Sequence, residues 1–369
     1  MMRIKPFIFL FTLALVMSCL ACTEERAAPV KPEDNPLYKD YRFSSDEKVI
    51  ELGAPTPWSA VSHLIEVMKR DEILKQDLDR MGYSVRVYPF LKGDEIIYFI
   101  KKGALEGAIM GDVPTLAMAA EGRTRVVSLF HKGSVSLVTR EVYRVRDLKG
   151  KRVAYPQGSI AHYYLLSLLD EKGLSASDIR HVPMNTSEMF EAIEQNRIDA
   201  FTTFEPTATI FTKIDPTLHI INRSFSTYGF FSLRKDVAAK HPRAAQAIVA
   251  AQFRAQAWLV ESDRNVRRAS RWVAEESEKL ISLPLHKYLQ ELDSLCEEDL
   301  LGDMIDYAAV MKRDVLGADG ALRKEFEFLK QHELLPRDSE WNEVLKNIDA
   351  RALPEPLTDA RPAVSKIRP

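Results

Sequence analysis

The strongest constraint on the fold is an internal similarity. Asp94–Asp112 (DEIIYFIKKGALEGAIMGD) aligns with Ser187–Glu205 (SEMFEAIEQNRIDAFTTFE) at a constant offset of 93 residues. Glu95 falls on Glu188, Ile97 on Phe190, Ile100 on Ile193, Leu105 on Ile198 and Asp112 on Glu205. Each acid is followed closely by Pro and Thr, as Pro114-Thr115 and Pro206-Thr207. Both stretches read as helix, turn, short strand, an acid at the strand's C-terminal end, then a new helix. Asp94 and Ser187 are the expected N-caps, and Pro is favoured just inside a helix start.

The flanks repeat as well. Lys48–Ala54 and Lys151–Tyr155 are strand patterns, each running through a turn (Pro55-Thr-Pro-Trp-Ser59; Pro156-Gln-Gly-Ser159) into a helix. Ser84–Pro89 and Ile179–Pro183 supply a second strand to each unit. Strands alternating with helices call for parallel sheets covered on both faces, so the expected class is α/β with two doubly wound lobes. The expected division is lobe 1 at 46–139 plus 230–350 and lobe 2 at 140–229, with Arg125–Thr139 and Phe225–Leu233 crossing between them as a two-strand hinge. From Lys235 the pattern turns helical, and these helices are expected to pack back on lobe 1. Cys296 is in helical register with Leu289 and Leu292, which suits a small buried hydrophobe. Residues 351–369, with four Pro, read as a loose tail.

Arg3 and Lys5 precede an apolar run from Phe7 to Ala21, the layout of an export signal over residues 1–21. Cys19-Leu20-Ala21-Cys22 resembles a bacterial lipobox, which makes Cys22 the expected lipidated residue and Cys19 its competitor. Residues 22–45 then form a polar tether, and the protein is expected on the outer side of a bacterial membrane, lipid-anchored. Charge is nearly balanced, 51 basic against 53 acidic residues, which argues against a nucleic-acid partner. Three Cys exclude a disulfide scaffold.

Enzyme motifs are missing. The chain has no phosphate-binding G-x-x-x-x-G-K-[ST], no G-x-S-x-G elbow and no dinucleotide fingerprint. The eight His lack metal-ligand spacing, so neither metal nor cofactor is expected. The acidic run from Glu291 to Asp306 lacks calcium-loop spacing and reads as a solvated helix face.

Ligands of doubly wound sheets bind outside the carboxyl ends of strands, where helix N-termini converge. Four such places exist here: Thr56–Ser59, Gly111–Thr115, Gly158–His162 and Thr203–Thr207. Free N–H groups with the hydroxyls of Thr56, Ser59, Thr115 and Ser159 suit a small anion. Ser59 and Ser159 serve equally well as plain helix caps. Trp58 either packs over an organic group or belongs to the core, and His162 faces either the cleft or solvent. Asp112 and Glu205 would repel an anion; each either caps its helix or accepts hydrogen bonds from an amine or a protonated ring nitrogen.

The ordered set Asp147-Leu-Lys-Gly-Lys-Arg-Val153, Gly158-Ser159-x-x-His162, Gly173-Leu174, Asp178, Ile198-Asp199-Ala200 and Glu205-Pro206 resembles periplasmic solute-binding proteins of ABC transporters, of the nitrate/sulfonate/taurine type. Asp112-x-Pro114 and Ala257-Trp258 fit too, and the resemblance covers roughly residues 46–335. It implies a type II periplasmic binding fold that closes on its ligand, delivery to a permease partner, and a monomer without enzymatic activity. It adds His131, Tyr228, Asn185 and Thr186 to the ligand-contacting residues. Pro55-Thr-Pro-Trp-Ser59 is nearer the branch that resembles binders of thiamine-pyrimidine precursors, so the expected ligand is a small anion or, alternatively, such a heterocycle. An enzyme resembling menaquinone-pathway lyases or pyrimidine synthases, and a sensory ligand-binding subunit, are the competing readings.

Overall fold

The computed structural model describes residues 31–300, 311 and 315–348. The expected export signal, Cys19, Cys22 and the tail from 351 lie outside the described residues. Residues up to Lys39 form one compact unit and those from Asp40 another. In the first, two short 3-10 turns span Pro32–Asp34 and Pro36–Tyr38, and the Asn35 side chain caps the second by accepting from the Leu37 N–H at 3.0 Å. Everything else described lies in the second unit. There, Tyr41 and Phe43, read from sequence as tether, pack their rings against Phe90 at 5.5 Å and Phe99 at 5.2 Å.

One eight-stranded sheet runs through the second unit in the order β2-β1-β3-β8-β4-β7-β5-β6. In its first half β1 (Val49–Pro55) lies parallel to β2 (Ser84–Phe90) and β3 (Gly107–Gly111). In its second half β5 (Arg152–Tyr155) lies parallel to β6 (Arg180–Pro183) and β7 (Ala200–Phe204). The connecting helices are α1 (Val61–Met68), α2 (Glu72–Met81) and α3 (Gly93–Lys101) in the first half, and α5 (Ile160–Glu171) and α6 (Thr186–Glu194) in the second. After β3 and β7 come α4 (Asp112–Ala120) and α7 (Thr207–Ile214). The repeat is physical: α3 and α6 have nine residues each, β3 and β7 five each, and both pairs are displaced by the offset of 93.

Two strands of 16 residues, β4 (Thr124–Thr139) and β8 (His219–Arg234), run antiparallel through the middle and belong to both halves. Along these two strands, β3 borders Gly229–Leu233 of β8 and β7 borders Val135–Thr139 of β4. Between these zones the ladder slips register at Gly133/Val135, where the partners are Thr227 and Ser224. Thr139 lies at the far end of β4, paired with His219 and Ala200.

The C-terminal helices α8 (Lys235–Lys240), α9 (Pro242–Glu261) and α10 (Asp263–Ser277) follow β8. As expected, α9 and α10 pack on α1 in the first half. Their joint apolar cluster includes Leu64, Val67, Ile248, Trp258 and Trp272, the two indoles stacking at 5.8 Å. Asp71 caps α2 by accepting from Ile73 and Leu74, and its other oxygen meets buried Arg254 of α9 at 2.7 Å.

Two later helices reach both halves. In α11 (Leu289–Asp299), Cys296 is a buried free thiol in the first-half cluster, while Leu292 packs with Ile210 of α7. The helix Ala321–Gln331 lies against α4 and sets Phe328 edge-on to Tyr163 of α5 at 4.8 Å. Among the described residues no helix is long and apolar enough to cross a membrane.

Candidate functional site

β1 ends at Pro55, and the chain turns through Thr56–Ser59 into α1 with Ala60 at φ 56°, a left-handed conformation. This turn sets the Trp58 indole, 7% exposed, edge-on to the His131 imidazole at 4.5 Å. His131 sits mid-way along β4 and is fully buried between two glycines. A Cβ at Gly133 would lie 2.6 Å from its Nε2, and one at Gly229 would lie 2.6 Å from its Nδ1. Burial lowers the His131 pKa to about 3, so the ring is neutral at pH 7. Neither ring nitrogen has a hydrogen-bond partner among the described residues.

The same is true of the buried hydroxyls of Ser134 on β4 and Thr227 on β8. From the second half, the Glu205 carbonyl oxygen accepts from the Ser59 N–H at 3.1 Å, joining the two halves directly. α11 adds Asp299, 4% exposed, which faces the Ser59 hydroxyl. Burial raises its pKa to about 7, against the opposing influence of the Ser59 hydroxyl. Buried polar atoms in folded proteins are nearly always paired, and leaving one unpaired costs about 1–3 kcal/mol. Orphaned groups on the two middle strands, beside the turn that carries Trp58 and Ser59, therefore mark a place shaped for another molecule.

Two buried acids frame this place. Glu205 accepts from the Ser136 hydroxyl at 2.9 Å, Arg223 Nη2 at 2.6 Å and the Thr209 N–H at 3.0 Å, so it caps α7 and is neutralised by Arg223. Arg223 also donates to the Thr209 hydroxyl and faces Glu298 of α11 at 3.5 Å. Asp112 caps nothing: both its oxygens accept from the Tyr228 N–H, at 2.8 and 3.0 Å, pinning α4 to the middle of β8. Burial raises its pKa well above the usual range. Burial does the same to Glu325 on the helix Ala321–Gln331, with the Asp112 charge adding to the rise.

Residues 100–264 match the model of the family described as NMT1/THI5 like. A protein of Escherichia coli (strain K12) named "Putative aliphatic sulfonates-binding protein" is 28% identical over 123 residues, 32% of this chain and 39% of that one. The taurine-binding periplasmic protein of the same strain is 25% identical over 184 residues, 47% of this chain and 57% of that one. The chain thus spans about half the length, or less, of these curated relatives. Among solved structures, the alkanesulfonate-binding protein of Xanthomonas axonopodis pv. citri bound to MOPS superposes with a TM-score of 0.64 at 20% identity, covering 83% of this chain and 99% of that one. The nitrate-binding protein of Synechocystis PCC 6803 gives 0.62 at 14% identity, covering 87% and 91%. The chain has the periplasmic binding-protein fold.

Within this binding-protein fold the sequence candidates divide. Trp58, Ser59, His131 and Glu205 meet at the seam between the halves, and Asp112 and Tyr228 are joined beside it. Gly111 pairs with Gly229, and the two leave room for the Trp58 ring, 3.6 and 3.2 Å from where their Cβ atoms would be. Thr56 turns away, its hydroxyl 2.9 Å from that of Ser277 on α10. Buried Thr115 donates to the Met110 carbonyl at 3.5 Å. Ser159 donates to the Pro156 carbonyl at 2.6 Å, closing a turn that Gly158 makes with φ +70°. His162 stacks on Tyr155 at 4.3 Å, and burial lowers its pKa to about 4. Exposed Asn185 reaches Glu188 at 3.3 Å, and Thr186 accepts from the Thr203 hydroxyl at 3.3 Å.

Sequence reasoning missed Ser134, Thr227, Arg223, Asp299 and Glu325. Asp299 had a readable signal: it continues the spacing Leu292, Cys296 onto the buried face of α11, so the acidic run read as solvated holds a buried carboxylate. A cavity of about 300 Å³ lies elsewhere, lined by Leu52, Ile65, Leu74, Val87 and Ile248 among others. It is an apolar gap behind β1 and α1, away from the strand carboxyl ends, and the unpartnered polar groups do not point to it.

Proposed function

We propose that this chain is an extracytoplasmic solute-binding protein, anchored through Cys22, that captures a small organic or inorganic anion of the sulfonate, taurine or nitrate kind and hands it to the permease of an ABC importer. The observation that carries this reading is the set of buried polar groups along the seam between two similar half-sheets: His131, Ser134 and Thr227, without partners among the described residues, and Asp299 facing the Ser59 hydroxyl. N–H groups at the starts of α1, α4 and α5 provide the anion's hydrogen bonds, the start of α7 being capped by Glu205. We place the lobe boundary at Gly133 and Thr227, where the shared strands slip register, and closure bends the chain there. Closure follows from the ligand binding the closed arrangement better than the open one.

The relatives' names support a binding protein over an enzyme, and a periplasmic location. The test is a thermal-shift and calorimetric panel of taurine, alkanesulfonates, nitrate and an aminopyrimidine. A ligand present at about 100 times its Kd adds about 2.7 kcal/mol to stability. A panel without any shift refutes the ligand class. Binding of the aminopyrimidine alone moves the assignment to the heterocycle, for which the indole of Trp58 offers a packing surface.

A further inference from the structure

The outer face of α10 carries charge for which the fold has no use. From Arg264 to Arg271 (RNVRRASR) the helix holds four Arg and no acid. Val266, Ala269 and Trp272 are buried in the first-half core. On the opposite face Arg264, Arg267 and Arg271 form one exposed stripe, with Arg268 half-buried beside them. Among the described residues none of the four makes a side-chain ion pair or hydrogen bond. Asp293 of α11 faces Arg267 and Arg271 at longer range, while exposed Glu261 and Asp263 precede the stripe and Glu275 follows it. Like charges three and four residues apart disfavour a helix, and Arg264 lies in the first turn, where the helix dipole repels a cation. At the end of α9, four residues before Arg264, Val260 is 63% exposed.

We propose that the α10 stripe is a contact surface for a lipid bilayer bearing anionic headgroups, with Val260 as its apolar tip, and that it lays the first half of the protein against the membrane to which Cys22 ties the chain. This surface rests on the anchored location proposed above and is independent of what the seam binds. A guanidinium pairs with phosphate through two parallel N–H donors, and a bilayer presents many phosphates in one plane without requiring a shaped pocket. Unpaired Arg on a convex helix face suits such a plane, and an exposed aliphatic side chain beside them suits the boundary between headgroup and acyl chain. The tether makes the contact effective. Eighteen residues separate Cys22 from Asp40, a covalent reach of about 60 Å at most, so the stripe stays close to the bilayer and weak contacts add to the anchor.

The experiment reads arginine reactivity site by site. The full chain is placed on vesicles of phosphatidylcholine, or of phosphatidylcholine and phosphatidylglycerol in equal parts, treated with phenylglyoxal and followed by peptide mass. Modification of Arg264, Arg267 and Arg271 should slow at least about fivefold on the anionic vesicles. Exposed Arg180, in the other half, should react equally on both. Salt at about 1 M, where the screening length falls to about 3 Å, should remove the protection. Equal reaction of the stripe on the two kinds of vesicle overturns the inference, and this arm needs no variant to fold. Protection in native membranes but not on phosphatidylglycerol assigns the stripe to an acidic protein and overturns it as well. The N-terminal peptide of the same digest reports acylation of Cys22. An unacylated chain that phosphatidylglycerol still protects refutes the anchor and leaves the surface standing; an unacylated chain without protection overturns both.

Discussion

The burial of His131 makes a prediction that can be isolated from every other titrating group. The imidazole is wholly buried between Gly133 and Gly229, and its pKa is lowered to about 3 from an ordinary 6.5. The folded state thus holds a neutral ring where the unfolded chain holds a protonated one below pH 6.5. Stability is fully present above 6.5 and is lost as pH falls from 6.5 towards 3. At pH 5 the unfolded chain has gained about 1.5 pH units of protonation that the folded one has not, which at 1.36 kcal/mol per unit is about 2 kcal/mol. The bare pH profile will not show this cleanly. Asp299, with a raised pKa of about 7, contributes stability at low pH that is lost as pH rises from about 4 to 7. His63, also lowered to about 3, adds a loss of its own on the acid side. Subtraction removes both. Urea denaturation of the unchanged protein and of His131→Asn, at pH 7.5, 6 and 5, gives a stability difference that moves by about 2 kcal/mol in favour of the variant as pH falls. A difference independent of pH would refute the reasoning, because it would mean that the ring is hydrated or paired in the folded state.

Three further outcomes test separate links. Glu205→Gln takes the charge from the partner of Arg223, whose side chain is 22% exposed, and should cost about 1–3 kcal/mol in urea denaturation, less than a fully buried pair. Gly229→Ala drives a methyl to within 2.6 Å of His131 and 3.2 Å of Trp58; it should cost about 1–3 kcal/mol and alter the tryptophan emission. Asp71→Asn strands Arg254, whose side chain is 7% exposed, and removes a charged cap. A loss of about 3–5 kcal/mol in denaturation is expected, with calorimetric ligand affinity of the folded fraction unchanged, because the pair lies in the first-half core away from the seam.

The repeat was legible because local chemistry writes it twice: apolar spacing for the helices, short apolar strands, and acid-Pro-Thr after each strand. Its helix starts were misplaced, and in both copies by the same two residues, with Lys92 and Asn185 capping where Asp94 and Ser187 were expected. In the first copy a tertiary contact accounts for it: Gly93 lies so close to Pro114 of α4 that a Cβ would fall 2.7 Å from the ring. Packing, which no local pattern records, set the boundary over the preferred cap residue. The site was half-legible for the same reason. Trp58, Ser59, Asp112 and Glu205 stand at strand ends, where sequence order alone predicts convergence. Ser134 and Thr227 carry no motif and matter only because β4 and β8 pair with Gly133 opposite Thr227.

That pairing also bears on how ligand capture relates to stability. The polar groups without partners among the described residues at the seam lie on both middle strands: His131 and Ser134 on β4, and Thr227 on β8; Ser59 before α1 and Asp299 at the end of α11 face one another beside them. Each unpaired group weakens the ligand-free protein by about 1–3 kcal/mol. A ligand that satisfies several of them at once recovers that energy only when the halves hold them together. Since β4 and β8 belong to both halves and α11 touches both, the recovered energy is tied to the arrangement of the halves rather than to either alone. On the proposed function, ligand affinity and lobe closure are one quantity, and a substitution at the Gly133–Thr227 step that leaves every contacting side chain in place should still weaken binding.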